Sequence, residues 1–195
     1  MREGTPECHS EEPVFMTWKE YLLFEEQSPY RHEYINGMVH AMCSESLAHN
    51  SIAQALIVAF HSQLRDGPCE AFFLQVKLEI RVGRDQIVYY PDVMVSCRPE
   101  DRTEQSVSDP RLVVEILSAS TQHTDRREKA MTYHRVEAIE EYVLIAQDKP
   151  QIIVYRRQDG WRPELYTKAG ALVEFRSIGL SVPIEQIYQR ALTVR

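Results

Sequence analysis

The run Leu112-Val113-Val114-Glu115-Ile116-Leu117 sets one carboxylate among five aliphatic side chains. A short apolar run of this kind reads as a strand, and a strand apolar on both faces is buried in a sheet. Glu115 therefore falls in or beside a core, where an unpaired charge costs several kcal/mol even after its surroundings relax. Any fold this chain adopts must bring compensation to that one side chain, and a metal ion is the strongest common form of it. A second carboxylate, Asp92, follows Pro91 at the start or bend of another apolar strand, Val93-Met94-Val95. Two acids on adjacent strands can converge on one oxygen-liganded divalent cation. A strand Glu paired with an Arg, and an Asp capping the turn after Pro91, are the arrangements without metal that fit the same residues.

The other elements read in chain order. Residues 1–13 are polar, contain Pro6 and Pro13 and show no periodicity, which predicts an unstructured tail ahead of a single domain over 14–195. Thr17 with Glu20 three residues on forms a capping box for a short helix carrying Trp18, Tyr21, Leu22 and Phe24. Asn36-Gly37 predicts a tight turn between two strands. Ser46 to about Arg65 carries apolar residues at helical spacing and stops at Asp66-Gly67-Pro68. Val76, Leu78, Ile80 and Val82 alternate with polar residues along a half-buried strand, which pairs as a hairpin with a strand over Ile87 to Cys97 interrupted by Pro91. Pro99 to Pro110 reads as a charged loop, and a helix starts at Asp125 and runs to about Val136. Strand-like runs follow at Glu141 to Ala146, Gln151 to Arg156, Trp161 to Lys168 and Leu172 to Arg176, and Pro183 starts a last helix. The tyrosines Tyr89, Tyr90, Tyr133 and Tyr142 read as packing. Together these elements predict an α/β (α+β) architecture, one mixed central β-sheet flanked by helices.

Charge narrows the function classes. With 22 basic and 29 acidic residues the net charge is −7, which argues against a protein that coats nucleic acid along its whole surface. Over residues 126–135, however, Arg126, Arg127, Lys129 and Arg135 outweigh the single Glu128, a local basic patch directly after the Glu115 strand. Cys8, Cys43, Cys69 and Cys97 form no C-x-x-C pair and read as reduced thiols. Ser46 to Leu64 holds too many polar groups to cross a membrane, and the first fifteen residues hold no apolar run of the secretory kind. A cytoplasmic location, without a membrane partner, is the expectation.

The ordered motifs Glu33-Tyr34-Ile35-Asn36-Gly37, Tyr90-Pro91-Asp92-Val93-Met94-Val95, Leu112 to Thr121, Asp125-Arg126-Arg127-Glu128-Lys129 with Tyr133, and Glu141-Tyr142-Val143-Leu144-Ile145 resemble the Uma family of restriction-endonuclease-like proteins, part of the PD-(D/E)XK nuclease superfamily. The resemblance runs from about Thr17 to Tyr188 and implies a restriction-endonuclease-like core, with Asp92 and Glu115 as metal ligands. The superfamily places a Lys two residues after the second acid, where this chain has Leu117; the resemblance implies that Lys129, on the next helix, supplies the amine. It further implies Glu33 as an additional acid, and His49 on the helix after the hairpin matches the pattern as well. Ala119 stands where family members usually have Pro.

The roles that follow are those of a Mg²⁺ or Mn²⁺ nuclease acting on DNA. Asp92, Glu115 and Lys129 are the catalytic set; Glu33 and the Ile116 carbonyl complete the metal ligands with the two acids; Arg126, Arg127, Arg135 and His49 bind substrate. A homodimer is expected by fold analogy, because cutting both strands takes two active sites. A non-catalytic nucleic-acid-binding or interaction protein with the same fold is the alternative, which the net acidity favours.

Overall fold

The computed structural model describes residues 14–42, 44–73, 76–118 and 125–193. The proposed tail, Cys8, Cys43 and Ala119 lie outside the described residues. The chain opens with β1 (Val14–Phe15) and α1 (Trp18–Gln27). The capping box forms, with Thr17 N–H donating to Glu20 Oε2 at 2.8 Å and the Thr17 hydroxyl accepting from Glu20 N–H. β2 (His32–Ile35) and β3 (Met38–Ala41) follow, joined by Asn36 and Gly37 at φ values of 50° and 104°. Positive φ at both central residues is what a turn matching the strand twist requires. The Ser46 hydroxyl caps α2 (Leu47–Leu64) by accepting from His49 N–H at 3.1 Å.

β4 (Glu70–Phe73), β5 (Lys77–Val82), β6 (Asp85–Tyr89) and β7 (Val93–Ser96) make one long hairpin whose two arms break at the same level. Beyond the break β5 pairs with β6; before it β4 pairs with β7, in a different sheet. The hairpin and its interruption at Pro91 are expected from the sequence; the break in the partner arm and the change of sheet are not. Pro91 has no N–H with which to continue the ladder, and the chain changes sheet between Tyr89 and Val93, leaving Asp92 at the crossing.

β8 (Ser106–Val107) lies within the segment expected to be loop throughout, and β9 (Leu112–Leu117) is the Glu115 strand. A wide helical turn over Asp125–Lys129 leads into α3 (Ala130–Tyr133), which ends short of Val136. β10 (Glu141–Ala146), β11 (Ile152–Arg156) and β12 (Pro163–Tyr166) precede a ribbon of β13 (Leu172–Phe175) and β14 (Leu180–Pro183), and α4 (Ile184–Tyr188) closes the fold.

Among the described residues one six-stranded sheet has the order β1-β3-β2-β6-β5-β8 and a second the order β12-β11-β10-β9-β7-β4. Both are mixed, since β5 runs parallel to β8 and β9 parallel to β10. The mixed α+β class stands; two sheets replace the single expected one. They pack face to face through Leu78, Ile80, Ile87 and Tyr89 of the first sheet and Met94, Val113, Leu117, Tyr142 and Leu144 of the second. α1 covers the outer face of the first sheet with Tyr21 against Tyr34, Val88 and Tyr90. α2 and the β13–β14 ribbon cover the outer face of the second through Ile52, Leu56, Phe60 and Phe175. No helix of the described residues is long and apolar enough to cross a membrane.

The cysteines are a further correction. The β4–β7 register pairs Glu70 with Ser96 and so sets Cys69 across from Cys97, and the two form a disulfide. Reduced thiols therefore carry no argument about compartment.

The ribbon is fastened by a buried ion network. Arg156 is 1% exposed; its Nε donates to Glu141 Oε1 at 2.8 Å, its Nη2 to the Glu174 carbonyl at 2.6 Å, and it also bonds Glu164. Glu141 in turn accepts from the backbone N–H of Arg176 and of Ser177. Replacing Arg156→Met strands Glu141 in the interior without a counter-charge. The expected loss is about 3–5 kcal/mol, read as a lower denaturant midpoint at nearly unchanged slope; an unmoved midpoint would contradict the network.

Candidate active site

Asp92 lies just ahead of β7, which is antiparallel to β9 with Val93 opposite Val114, so the crossing falls beside the Glu115 end of β9. Along β9 the side chains of Leu112, Val114 and Ile116 join the α2 side of the sheet while Val113 and Leu117 face the first sheet. Alternation puts Glu115 on this second face. Asp92 Oδ2 accepts the Ile116 N–H at 2.6 Å, which ties the sheet crossing to β9. Ile116 thus meets the site through its N–H, in addition to the carbonyl role the sequence suggests.

Compensation for Glu115, which is 3% exposed, comes from the segment around α3. Tyr133 Oη donates to Glu115 Oε1 at 2.8 Å, and Lys129 Nζ lies 3.3 Å from the same oxygen. Lys129 and Tyr133 are four residues apart and share one helical face. The amine also lies 2.9 Å from Glu33 Oε1 on β2 and 5.2 Å from the centre of the Tyr89 ring. One ammonium therefore bridges acids from both sheets, and the place left by Leu117 is filled from the helical segment. Glu33, Glu115 and Lys129 are brought together as the sequence suggests.

On the other side of Asp92 stands His49. Its side chain is 1% exposed, with Nε2 3.1 Å from Asp92 Oδ1 and 3.4 Å from Glu45 Oε2. One ligand atom from each of Glu45, His49 and Asp92 lies within 4.8 Å of the others. His49 sits on the same buried face of α2 as Ile52, Ala53, Leu56 and Phe60, with its imidazole turned toward Asp92. Glu45 is not singled out from the sequence, and Tyr133 reads there as packing and as part of the family motif, without a role at Glu115. The signal for each is a spacing of four from a named residue, which sets Tyr133 on the helical face of Lys129 and brings Glu45, just ahead of the α2 cap, against His49.

Of the basic patch, Lys129 reaches these acids and Arg135 does not. Arg127 is exposed on the helical turn beside Lys129. Arg135 donates to Asp85 Oδ2 at 2.6 Å and to the Val82 carbonyl, at the end of β6 remote from Tyr89, and this hydrogen bond holds the Asp85 carboxyl below its ordinary value. The side chain of Arg126 lies outside the described part of the structure.

A family model described as "Putative restriction endonuclease", Uma2, matches residues 18–185. The chain belongs to the Uma2 family. An uncharacterized Synechocystis protein, slr1290, is 35% identical over 174 residues, covering 88% of this chain and 90% of that one. A second uncharacterized Synechocystis protein, sll1609, is 30% identical over 135 residues, covering 68% and 75%. The crystal structure of a "putative nuclease belonging to DUF820" from Anabaena variabilis superposes with a TM-score of 0.74 at 20% identity, covering 91% of this chain and 99% of that one. The Uma2 chain thus shares its fold with that protein.

Two outcomes follow from the buried charges. Lys129, 6% exposed, is the cation that separates Glu33 from Glu115. Lys129→Met should cost about 3–5 kcal/mol at neutral pH by chemical denaturation, and adding Glu115→Gln should return part of it; additive losses would show that the two do not interact. Burial, and after it the charge of Glu115, pushes the Tyr133 phenol well above its ordinary value. An unfolded tyrosine ionises near pH 10, so the stability Tyr133 contributes is complete below about that pH and is lost as pH climbs toward the folded value. Stability measured against alkaline pH should fall less steeply in Tyr133→Phe than in wild type, and parallel curves would refute the assignment.

Proposed function

We propose that this Uma2 protein is a divalent-metal-dependent DNA endonuclease that hydrolyses phosphodiester bonds with an activated water. The observation that carries the reading is the Lys129 amine held between Glu33 and Glu115, with Asp92 bonded to the N–H of the next residue, Ile116. The donor set fits a cation by charge as well as by type: Glu33, Asp92 and Glu115 offer hard oxygen ligands, and one ammonium balances only part of their charge. Asp92 and Glu115 hold the ion, with Glu33 and the Ile116 carbonyl as further ligands. When bound, Mg²⁺ or Mn²⁺ polarises the phosphate and lowers the pKa of water.

The chain's own residues supply the remainder. Lys129 Nζ is a point charge that orients the attacking water or offsets charge developing on the phosphoryl oxygens. Tyr133 and Glu33 fix that amine and the Glu115 carboxylate in one arrangement. Asp92 is oriented by the Ile116 N–H and by His49. Arg127, exposed beside Lys129, meets incoming phosphates, whereas Arg135 is engaged by Asp85. Cutting both strands of a duplex takes two such sites, so a homodimer is the working assembly. The net charge of −7 favours a second reading, an interaction protein that keeps the fold without turnover.

Supercoiled plasmid and duplex oligonucleotides, incubated with Mg²⁺ or Mn²⁺ and with chelator as the blank, discriminate between the two. Cleavage is expected in wild type, with losses of about 100-fold or more in Asp92→Asn, Glu115→Gln and Lys129→Met. Arg127→Ala should leave the chemistry and flatten the plot of log affinity against log salt by about one unit. Wild-type protein that binds DNA and cuts it with neither ion is the interaction protein.

A further inference from the structure

The imidazole of His49 does more than touch Asp92. A single atom, Nε2, stands 3.1 Å from Asp92 Oδ1 and 3.4 Å from Glu45 Oε2. An N–H on this atom would have to be shared between the two acceptors, whereas a deprotonated Nε2 turns its lone pair to the space between them. Neighbouring ligands of an octahedral cation with bonds of about 2.1–2.3 Å stand roughly 3.0–3.3 Å apart, close to the spacing between Nε2 and the two oxygens. The three donors are also held from independent directions. Ser46 caps α2 onto the His49 N–H, Ile116 N–H occupies the other oxygen of Asp92, and Glu45 precedes the cap with its side chain 29% exposed at the mouth. Glu115 Oε1, by contrast, is engaged by Lys129 and Tyr133.

We infer that His49 Nε2 and Glu45 join Asp92 as ligands of the divalent cation of this site, giving a mixed nitrogen and oxygen donor set that selects a first-row transition cation such as Mn²⁺ over Mg²⁺. The inference rests on the metal-dependent reading above and adds the identity of the ion to it. Mg²⁺ prefers oxygen ligands and keeps its water, whereas an imidazole donor raises affinity along the transition series. The carboxylates alone offer no such discrimination. His49 is a positioning residue for Asp92 in the metal-free protein and a ligand in the loaded one.

The test uses the metal-free full chain. Mn²⁺ binding is followed by electron paramagnetic resonance, Mg²⁺ by competition against it, and nitrogen hyperfine coupling to bound Mn²⁺ by pulsed spectra. Wild type should bind Mn²⁺ about tenfold or more tightly than Mg²⁺, with coupling from one imidazole. His49→Ala should weaken Mn²⁺ by about 10–100-fold with a smaller effect on Mg²⁺. His49→Gln keeps side-chain volume while replacing nitrogen by an amide oxygen, so it should lose both the imidazole coupling and the preference; Glu45→Gln should weaken Mn²⁺ and keep the coupling. Bound Mn²⁺ without nitrogen coupling in wild type, or an unchanged preference in His49→Gln, overturns the inference. The two readings fail separately: nitrogen-coupled Mn²⁺ in a protein that cuts no DNA upholds the mixed donor set against the nuclease, and cleavage that needs Asp92 and Glu115 with nitrogen-free Mn²⁺ upholds the nuclease against the mixed donor set.

Discussion

A carboxylate buried in β9 needs a counter-charge that the sheet cannot supply, and the ammonium of Lys129 reaches it from outside the sheet. That contact orders much of what surrounds it. The amine also holds Glu33 on β2, so the first sheet must lie over the second with Tyr89 beneath the lysine. Two sheets and one helical segment are thereby keyed to each other by a charge, where apolar packing alone tolerates sliding. Whether buried ions add net stability differs between proteins; here their removal would leave the sandwich without a fixed alignment at the site.

The second determinant is the sheet crossing at Pro91-Asp92. A hairpin that stayed in one sheet would carry Asp92 along a continuous ladder, pointing where alternation sent it. Breaking both arms at one level frees that side chain to meet the Ile116 N–H on one oxygen and His49 on the other. The proline does this by an omission, since it has no donor to give. Site geometry and sheet architecture therefore have one cause.

Much of this was legible in the chain. Glu115 announced itself as an acid where acids are costly, the Thr17 box and the Asn36-Gly37 turn were local chemistry, and the order of motifs pointed to the Uma2 family. What stayed hidden depended on contacts between distant segments. Pro91 signalled an interruption, but local sequence cannot say that the arm beyond it joins another sheet. Cys69 and Cys97 became neighbours only through the β4–β7 register. His49 was visible as a residue on an apolar helical face, yet its burial against Asp92 depends on how α2 lies on the second sheet. Tyr133 read as packing because a phenol's partner cannot be seen in one strand of text.

α3 itself spans four residues, Ala130–Tyr133, following the wide turn that carries Lys129. So short a helix does not nucleate alone in water, so its order is borrowed from what it touches, and Glu115 is among those contacts. Dependence of this kind runs in both directions. Any ligand that draws Glu115 away from Tyr133 and Lys129 loosens the segment, and any ligand that steadies the segment tightens its hold on Glu115. Occupancy at the carboxylates and protection of the amides near residue 130 are thus two views of one equilibrium.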